Sequence, residues 1–234
     1  MIAHTSPHRF GLGRAPDRYP AGALDFARSH DLGPRVHNAF VYGGFVAWAG
    51  TPDFQVLVDG RNDMVYPPEF FLRCTQAQRS PTEFAALRRE FPSDWVLADN
   101  TPGRETFGFL AFDEAWMPVY WSDTAVVYVP RPGHMRLAHL EYRYVNPGAP
   151  IDSLLAALDA AGDDTARLHL IRAELIRLVD GAPNSVRANT YMVMYYHHLG
   201  LDGREPMRAV LDHLYRVAPN HPAVRELRSR FGPI

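Results

Sequence analysis

Trp116-Met-Pro-Val-Tyr-Trp121 and Thr124-Ala-Val-Val-Tyr-Val129 are runs rich in aromatic and β-branched residues, separated only by Ser122 and Asp123. That pattern predicts an antiparallel hairpin. Upstream of it, helical and strand patterns alternate. Pro20 suits a first helical turn, and Leu24, Phe26 and Ala27 turn toward a core before Asp31 to Pro34 stops the helix. Arg35 to Asn38 predicts a short strand. Tyr42 to Trp48 predicts a short helix entered through Gly43 and Gly44, with Phe45 and Trp48 on one side. Gln55 to Val58 reads as a buried strand closed by Asp59 and Gly60, and Asp94 to Ala98 as another. Ser80 and Glu83 bracket Pro81 and Thr82 as a capping box ahead of Phe84 and Leu87, and Thr106 to Phe112 predicts an apolar helical segment. A hairpin added to strands that alternate with helices predicts an α/β layer domain with a mixed sheet over residues 19–130, after an irregular arm over 1–18.

Downstream, Pro132, Gly133, Pro147, Gly148 and Pro150 punctuate a linker over 131–150, within which Leu137 to Val145 alternates enough to predict one more strand. From 151 to 234 the pattern is wholly helical. Ala173-Glu-Leu-Ile-Arg-Leu-Val-Asp-Gly-Ala-Pro183-Asn184 recurs as Ala209-Val-Leu-Asp-His-Leu-Tyr-Arg-Val-Ala-Pro219-Asn220, so Pro219 lies 36 residues after Pro183. That offset is close to the tetratricopeptide period of about 34, and Tyr195, Leu199 and Gly200 fall where the first helix of such a unit carries an aromatic and then Leu-Gly. The segment resembles tetratricopeptide repeats. Ala173 and Ala209 are expected where helices approach closely, Leu175, Leu178, Leu211 and Leu214 on apolar stripes, and Gly200 in a left-handed turn. The alternative is a generic helical hairpin that completes the core of the α/β domain.

Composition excludes several functions. The hydrophobic fraction of 47% and charged fraction of 21% are those of an ordinary globular chain, and a formal charge of -2 gives no reason to expect nucleic-acid binding. Every basic residue is arginine. Cys74 is alone, so no intrachain disulfide or multi-cysteine metal site is expected, and no apolar run reaches the roughly 18 residues that span a bilayer. His197 and His198 are adjacent on a helix and diverge, whereas a zinc pair needs i, i+4 spacing. No cofactor and no metal are expected: Gly11-Leu-Gly13 lacks the rest of a dinucleotide fingerprint, and no nucleophile elbow, zincin or phosphate-loop motif occurs.

Arg18-Tyr-Pro-Ala-Gly-Ala-Leu-Asp-Phe26, His37-Asn-Ala-Phe-Val-Tyr-Gly-Gly-Phe-Val-Ala-Trp48, Val56-Leu-Val-Asp-Gly-Arg-Asn-Asp63, Asp94-Trp-Val-Leu97 and Thr124-Ala-Val-Val-Tyr-Val129 together resemble the soluble C-terminal domain of bacterial polytopic membrane glycosyltransferase-like proteins of the mannosyltransferase type. In that family a tetratricopeptide segment often follows. The presumed catalytic acids of the family sit in a membrane-spanning part, and this sequence holds neither that part nor an Asp-x-Asp or Trp-Trp-Asp motif. The resemblance therefore implies a non-enzymatic domain beside a membrane, on its extracytoplasmic face; the lack of a signal-like N-terminus points instead to the cytoplasm.

Two sets of candidate residues emerge. Asp59, Arg61 and Asp63 follow a strand, where α/β sheets place ligands, and offer either a sugar or phosphate site or a turn in which the acids brace Arg61. Tyr191, Tyr195, Tyr196, Met192 and Met194 crowd one helix that must be covered on two sides, one of them open to a partner. The expected function is a non-catalytic interaction or accessory subunit that docks onto other protein subunits of a membrane-associated complex. The alternative is a carbohydrate-binding or glycosyltransferase-associated domain using the Asp59 to Asp63 turn.

Overall fold

The computed structural model describes residues 18–232, so the arm expected over 1–18 lies almost wholly outside the described residues. The chain forms a five-stranded mixed sheet surrounded and followed by helices. Its elements are α1 (Ala21–Ser29), β1 (Arg35–Asn38), α2 (Gly43–Ala49), β2 (Gln55–Val56), α3 (Asn62–Val65), α4 (Pro68–Ala77), α5 (Pro81–Glu90) and β3 (Trp95–Asp99). There follow the hairpin β4 (Trp116–Trp121) and β5 (Ala125–Pro130), then α6 (Pro150–Ala161), α7 (Thr165–Gly181), α8 (Val186–His198), α9 (Arg204–Val217) and α10 (Pro222–Phe231). The strand order is β2-β1-β3-β5-β4; β2, β1 and β3 are parallel, and β5 pairs antiparallel with both β3 and β4.

Register decides which side chains meet which helices. His37, Val96 and Tyr128 are successive register partners and share a face, covered by Phe84 of α5, whose ring meets His37 edge-on at 5.1 Å. Tyr120 pairs with Val127, one residue out of that row, and therefore faces the other way, onto Phe26 of α1 at 5.3 Å. One buried cluster runs from Ala23 on α1 through the sheet to Tyr195 on α8, and a smaller one joins α8, α9 and α10 through Val193, Met207, Leu211, Leu214 and Val224. Each such leucine contributes about 1.5–3 kcal/mol of burial.

Ser80 caps its helix as expected, and further caps appear. Ser80 Oγ accepts from the Glu83 amide, Asp164 from Ala166 and Arg167, and Ser185 from Ala188. Gly200 has φ +62°, the left-handed turn expected of it.

Four expectations are corrected. No strand forms over Leu137 to Val145: residues Met135–Leu140 make a 3-10 turn, and the amides of Arg143, Tyr144 and Val145 donate to the Glu174 carboxylate, each at 2.9 Å, in place of a strand neighbour. β2 is only two residues long because Asn38 intercepts it: Leu57 N donates to Asn38 Oδ1 at 3.0 Å, and Asn38 Nδ2 donates to the Val58 carbonyl at 2.7 Å. The segment from Thr106 begins with Phe107 at φ +54°, and only Gly108–Phe112 coil, as a 3-10 turn. Ala173 and Ala209 are exposed, so the close helix approach lies elsewhere, at Gly203, where a Cβ would collide with the Tyr196 carbonyl.

Candidate functional site

Because β1, β2 and β3 are parallel, their carboxyl ends form one crest, and five of the ten buried polar side chains among the described residues gather there: Asn38, Asp59, Gln78, Asp99 and Asn100. Strand order places a topological switch point on this crest, between β1, whose chain leaves toward β2, and β3, whose chain leaves toward the hairpin.

Asp59 and Arg61 are brought together. Arg61 Nε lies 2.9 and 3.0 Å from the two Asp59 oxygens, its Nη2 lies 2.6 Å from Oδ2, and its backbone N–H donates to Oδ1 at 2.9 Å. The fork holds the Asp59 carboxyl below its usual range, with a smaller pull from Tyr66 nearby. The Asp59 side chain is 3% exposed and that of Arg61 61% exposed, so the carboxylate is enclosed while the guanidinium keeps a solvent face. The Asp63 side chain lies outside the described residues. With both oxygens taken by Arg61, Asp59 serves here as the brace of its own turn.

The start of α2 rests on this turn. A Cβ on Gly43 would run into the Val58 carbonyl and sit 2.6 Å from Asp59 Cα, whereas Gly44 faces open space. Gly43→Ala is expected to lower stability by about 2–4 kcal/mol and Gly44→Ala to raise it by up to about 1 kcal/mol, read as urea midpoints of the two variants.

Asp99, at the end of β3, was not singled out by sequence. It accepts from Tyr42 Oη at 2.9 Å and from Thr101 N at 2.9 Å, and Arg104 Nη2 lies 3.2 Å from its other oxygen. Burial, followed by the Asp99 charge, pushes the Tyr42 phenol well up, so it stays a donor. The one available signal was the polar run Asp99-Asn-Thr-Pro-Gly-Arg104 directly after an apolar strand. An open cleft of about 730 Å³ lies over this corner, bounded by Phe40 and Phe71, by the α4–α5 junction and by the loop from Asp99 to Thr106. Both oxygens of Asp59 are taken by Arg61, whereas Asp99 is enclosed and engaged by Tyr42, Thr101 and Arg104 with one oxygen facing only the Arg104 ion pair; both carboxylates suit rigid positioning of their loops.

On the helical side, α6, α8 and α10 together line a groove of about 580 Å³ that includes Leu155, Met194, His197, Leu227 and Phe231. Tyr191, Met192 and Tyr195 are 3%, 5% and 2% exposed and belong to the core; Met194 and Tyr196 are half-buried. The aromatic density of α8 is thus mostly packing: Tyr191 meets Trp121 at 6.2 Å, and of the five candidates only Met194 reaches the groove.

Among the described residues no cluster of His, Cys, Asp or Glu is arranged to hold a metal, and no helix is long and apolar enough to cross a membrane. Cys74 is buried, and burial pushes its thiol up to about 12, which leaves it protonated and unreactive at neutral pH. Against protein-family models, curated proteins and solved structures, the chain matches none.

Proposed function

We propose that the protein is a non-catalytic interaction subunit whose helical segment is built from tetratricopeptide-like pairs and receives another protein subunit in the groove between α6, α8 and α10. The observation that carries this reading is alternation: every second helix contributes to the groove, while α7 and α9 stand behind and present Leu175, Leu178, Leu211 and Leu214 to the interior. An inner row of first helices is what stacked helical pairs produce. The spacing of the two Ala-Pro-Asn helix ends supports the same register, since α7 stops at Gly181 ahead of Pro183 and α9 at Val217 ahead of Pro219. The bracing of Asp59 by Arg61 supports a non-enzymatic role. The resemblance to domains that sit beside membranes makes a membrane-associated complex the assembly to examine.

The test is purification of the native protein from its own cells in mild detergent, with mass spectrometry of what stays bound. Wild type is expected to retain a defined set of subunits at fixed stoichiometry. Met194→Glu and Leu155→Glu, both at partly exposed groove positions, are expected to release them, while melting within about 3 °C of wild type because neither site is in the core. Recovery of the wild-type chain without partners, or retention of the same subunits by both variants, overturns the assignment.

A further inference from the structure

The cleft at the crest is separate from the helical groove and has the makings of a small-molecule site. It sits at the switch point, outside the carboxyl ends of β1 and β3, where open α/β sheets place their ligands. One side is apolar, with Phe40 set edge-on to Phe71 at 5.1 Å and Val41 beside them. The other elements bring two guanidinium groups. Arg79, at the α4–α5 junction, is exposed and has no acidic partner among the described residues. Arg104 is held near the enclosed Asp99 by an ion pair through one nitrogen at 3.2 Å, and its side chain stays 57% exposed, which leaves the rest of its fork open to the cleft. Asp99 and Glu83 balance these two charges, so the cleft is not a general sink for anions. With two carboxylates in the same lining, each further negative charge on a ligand meets added repulsion, which favours a singly charged ligand over a dianion.

We infer that this cleft binds a small organic carboxylate, its charged end on Arg79 and Arg104 and its ring or chain on Phe40 and Phe71. Arginine suits this role because its planar fork matches a carboxylate with two parallel hydrogen bonds. The apolar wall supplies most of the binding energy and the arginines set the orientation, as in small-molecule sites generally.

The probes are benzoate (charge and ring), acetate (charge alone) and benzyl alcohol (ring alone), titrated into the full chain with amide chemical shifts as the readout. Benzoate is expected to saturate in the millimolar range, with shifts confined to residues 40–41, 71–83 and 99–106, and acetate and benzyl alcohol to bind at least about tenfold more weakly. Arg79→Gln is expected to weaken benzoate about tenfold with no change in melting temperature, since Arg79 holds no structural partner. Arg104→Gln is expected to weaken it as much but also to lower the melting temperature, because Asp99 loses its counter-ion. Arg172→Gln, exposed on α7 and outside the cleft, leaves benzoate affinity unchanged. Failure of benzoate to saturate by about 10 mM, equal binding of benzyl alcohol, or benzoate affinity insensitive to Arg79→Gln overturns the inference. Phenyl phosphate serves as the dianionic comparison, and its binding more tightly than benzoate overturns the single-charge assignment.

Discussion

Replacing Glu174 with leucine is expected to lower the unfolding free energy by about 3–5 kcal/mol, a large part of the roughly 5–15 kcal/mol that a domain possesses. Glu174 lies on α7, is 4% exposed, and its two oxygens accept the amides of Arg143, Tyr144 and Val145. Those amides belong to the chain that leads from the sheet into α6, so one side chain ties the α/β part to the helical part. Burial raises the Glu174 carboxyl above its usual range against the pull of the three amides, a sign of how little water reaches it. Leucine fills much of the same volume but offers no acceptor, and each enclosed N–H left without one costs about 1–3 kcal/mol. Glu174→Gln retains one carbonyl oxygen and is expected to lose about half as much. The check is urea unfolding of the three proteins; a loss below about 1 kcal/mol for the leucine variant means that these amides find other acceptors.

Acidification is expected to weaken the fold well before the carboxylates titrate, and His37 is the reason. It is 1% exposed in the middle of β1, enclosed by the rings of Phe84 and Phe107, and neither ring nitrogen has a hydrogen-bond partner. Burial, with a smaller contribution from the Arg88 charge, lowers its pKa to about 4. The unfolded chain takes up this proton near pH 6.5 and the folded chain only near pH 4, so between those values the unfolded state binds more protons. The His37 contribution is therefore complete above about pH 6.5 and falls by about 3 kcal/mol as the pH drops to 4, while Glu174, whose carboxyl burial raises, takes up its proton first in the folded chain and returns part of that loss. Asp59, Asp94 and Glu141, held below their usual range chiefly by Arg61, Arg35 and Arg131, add losses only at the acid end of that window and beyond it. His37→Phe is expected to flatten the slope between pH 6.5 and 4.5, measured as urea midpoints at half-unit steps. An unchanged slope in that variant assigns the proton uptake to other groups.

Where local pattern and tertiary environment agree, the sequence reading reached the structure. β1 and β4 coincide with their expected ranges, and β3 and β5 are displaced by a single residue, because short runs bounded by turn residues, rich in apolar and aromatic side chains in β3, β4 and β5, have few other uses. Ser80 was identifiable as a cap for the same reason. Misreadings arose where a side chain substitutes for a strand. Residues 137–145 alternate like a strand, yet their amides go to a carboxylate some thirty residues further on, and Asn38 ends β2 early by bonding across to 57 and 58. Neither partnership leaves a mark in the local pattern. The crest was half visible: Asp59 and Arg61 stand out because they are two residues apart, whereas Asp99 depends on Tyr42, 57 residues away, and only the folded chain makes them neighbours. On α8 the density of tyrosine and methionine was plain, but which of them face outward is set by the packing of Trp121 against Tyr191.

The two margins of the sheet bear on how copies of this chain can associate. β2 presents only two residues, too short to template pairing with another strand. β4 carries Pro118, which has no N–H to offer, and the Pro118 carbonyl is occupied by the amide of Tyr142. Neither margin is a continuous row of free donors and acceptors, so edge-to-edge polymerisation is blocked from both sides, and self-association at high concentration is confined to helix faces.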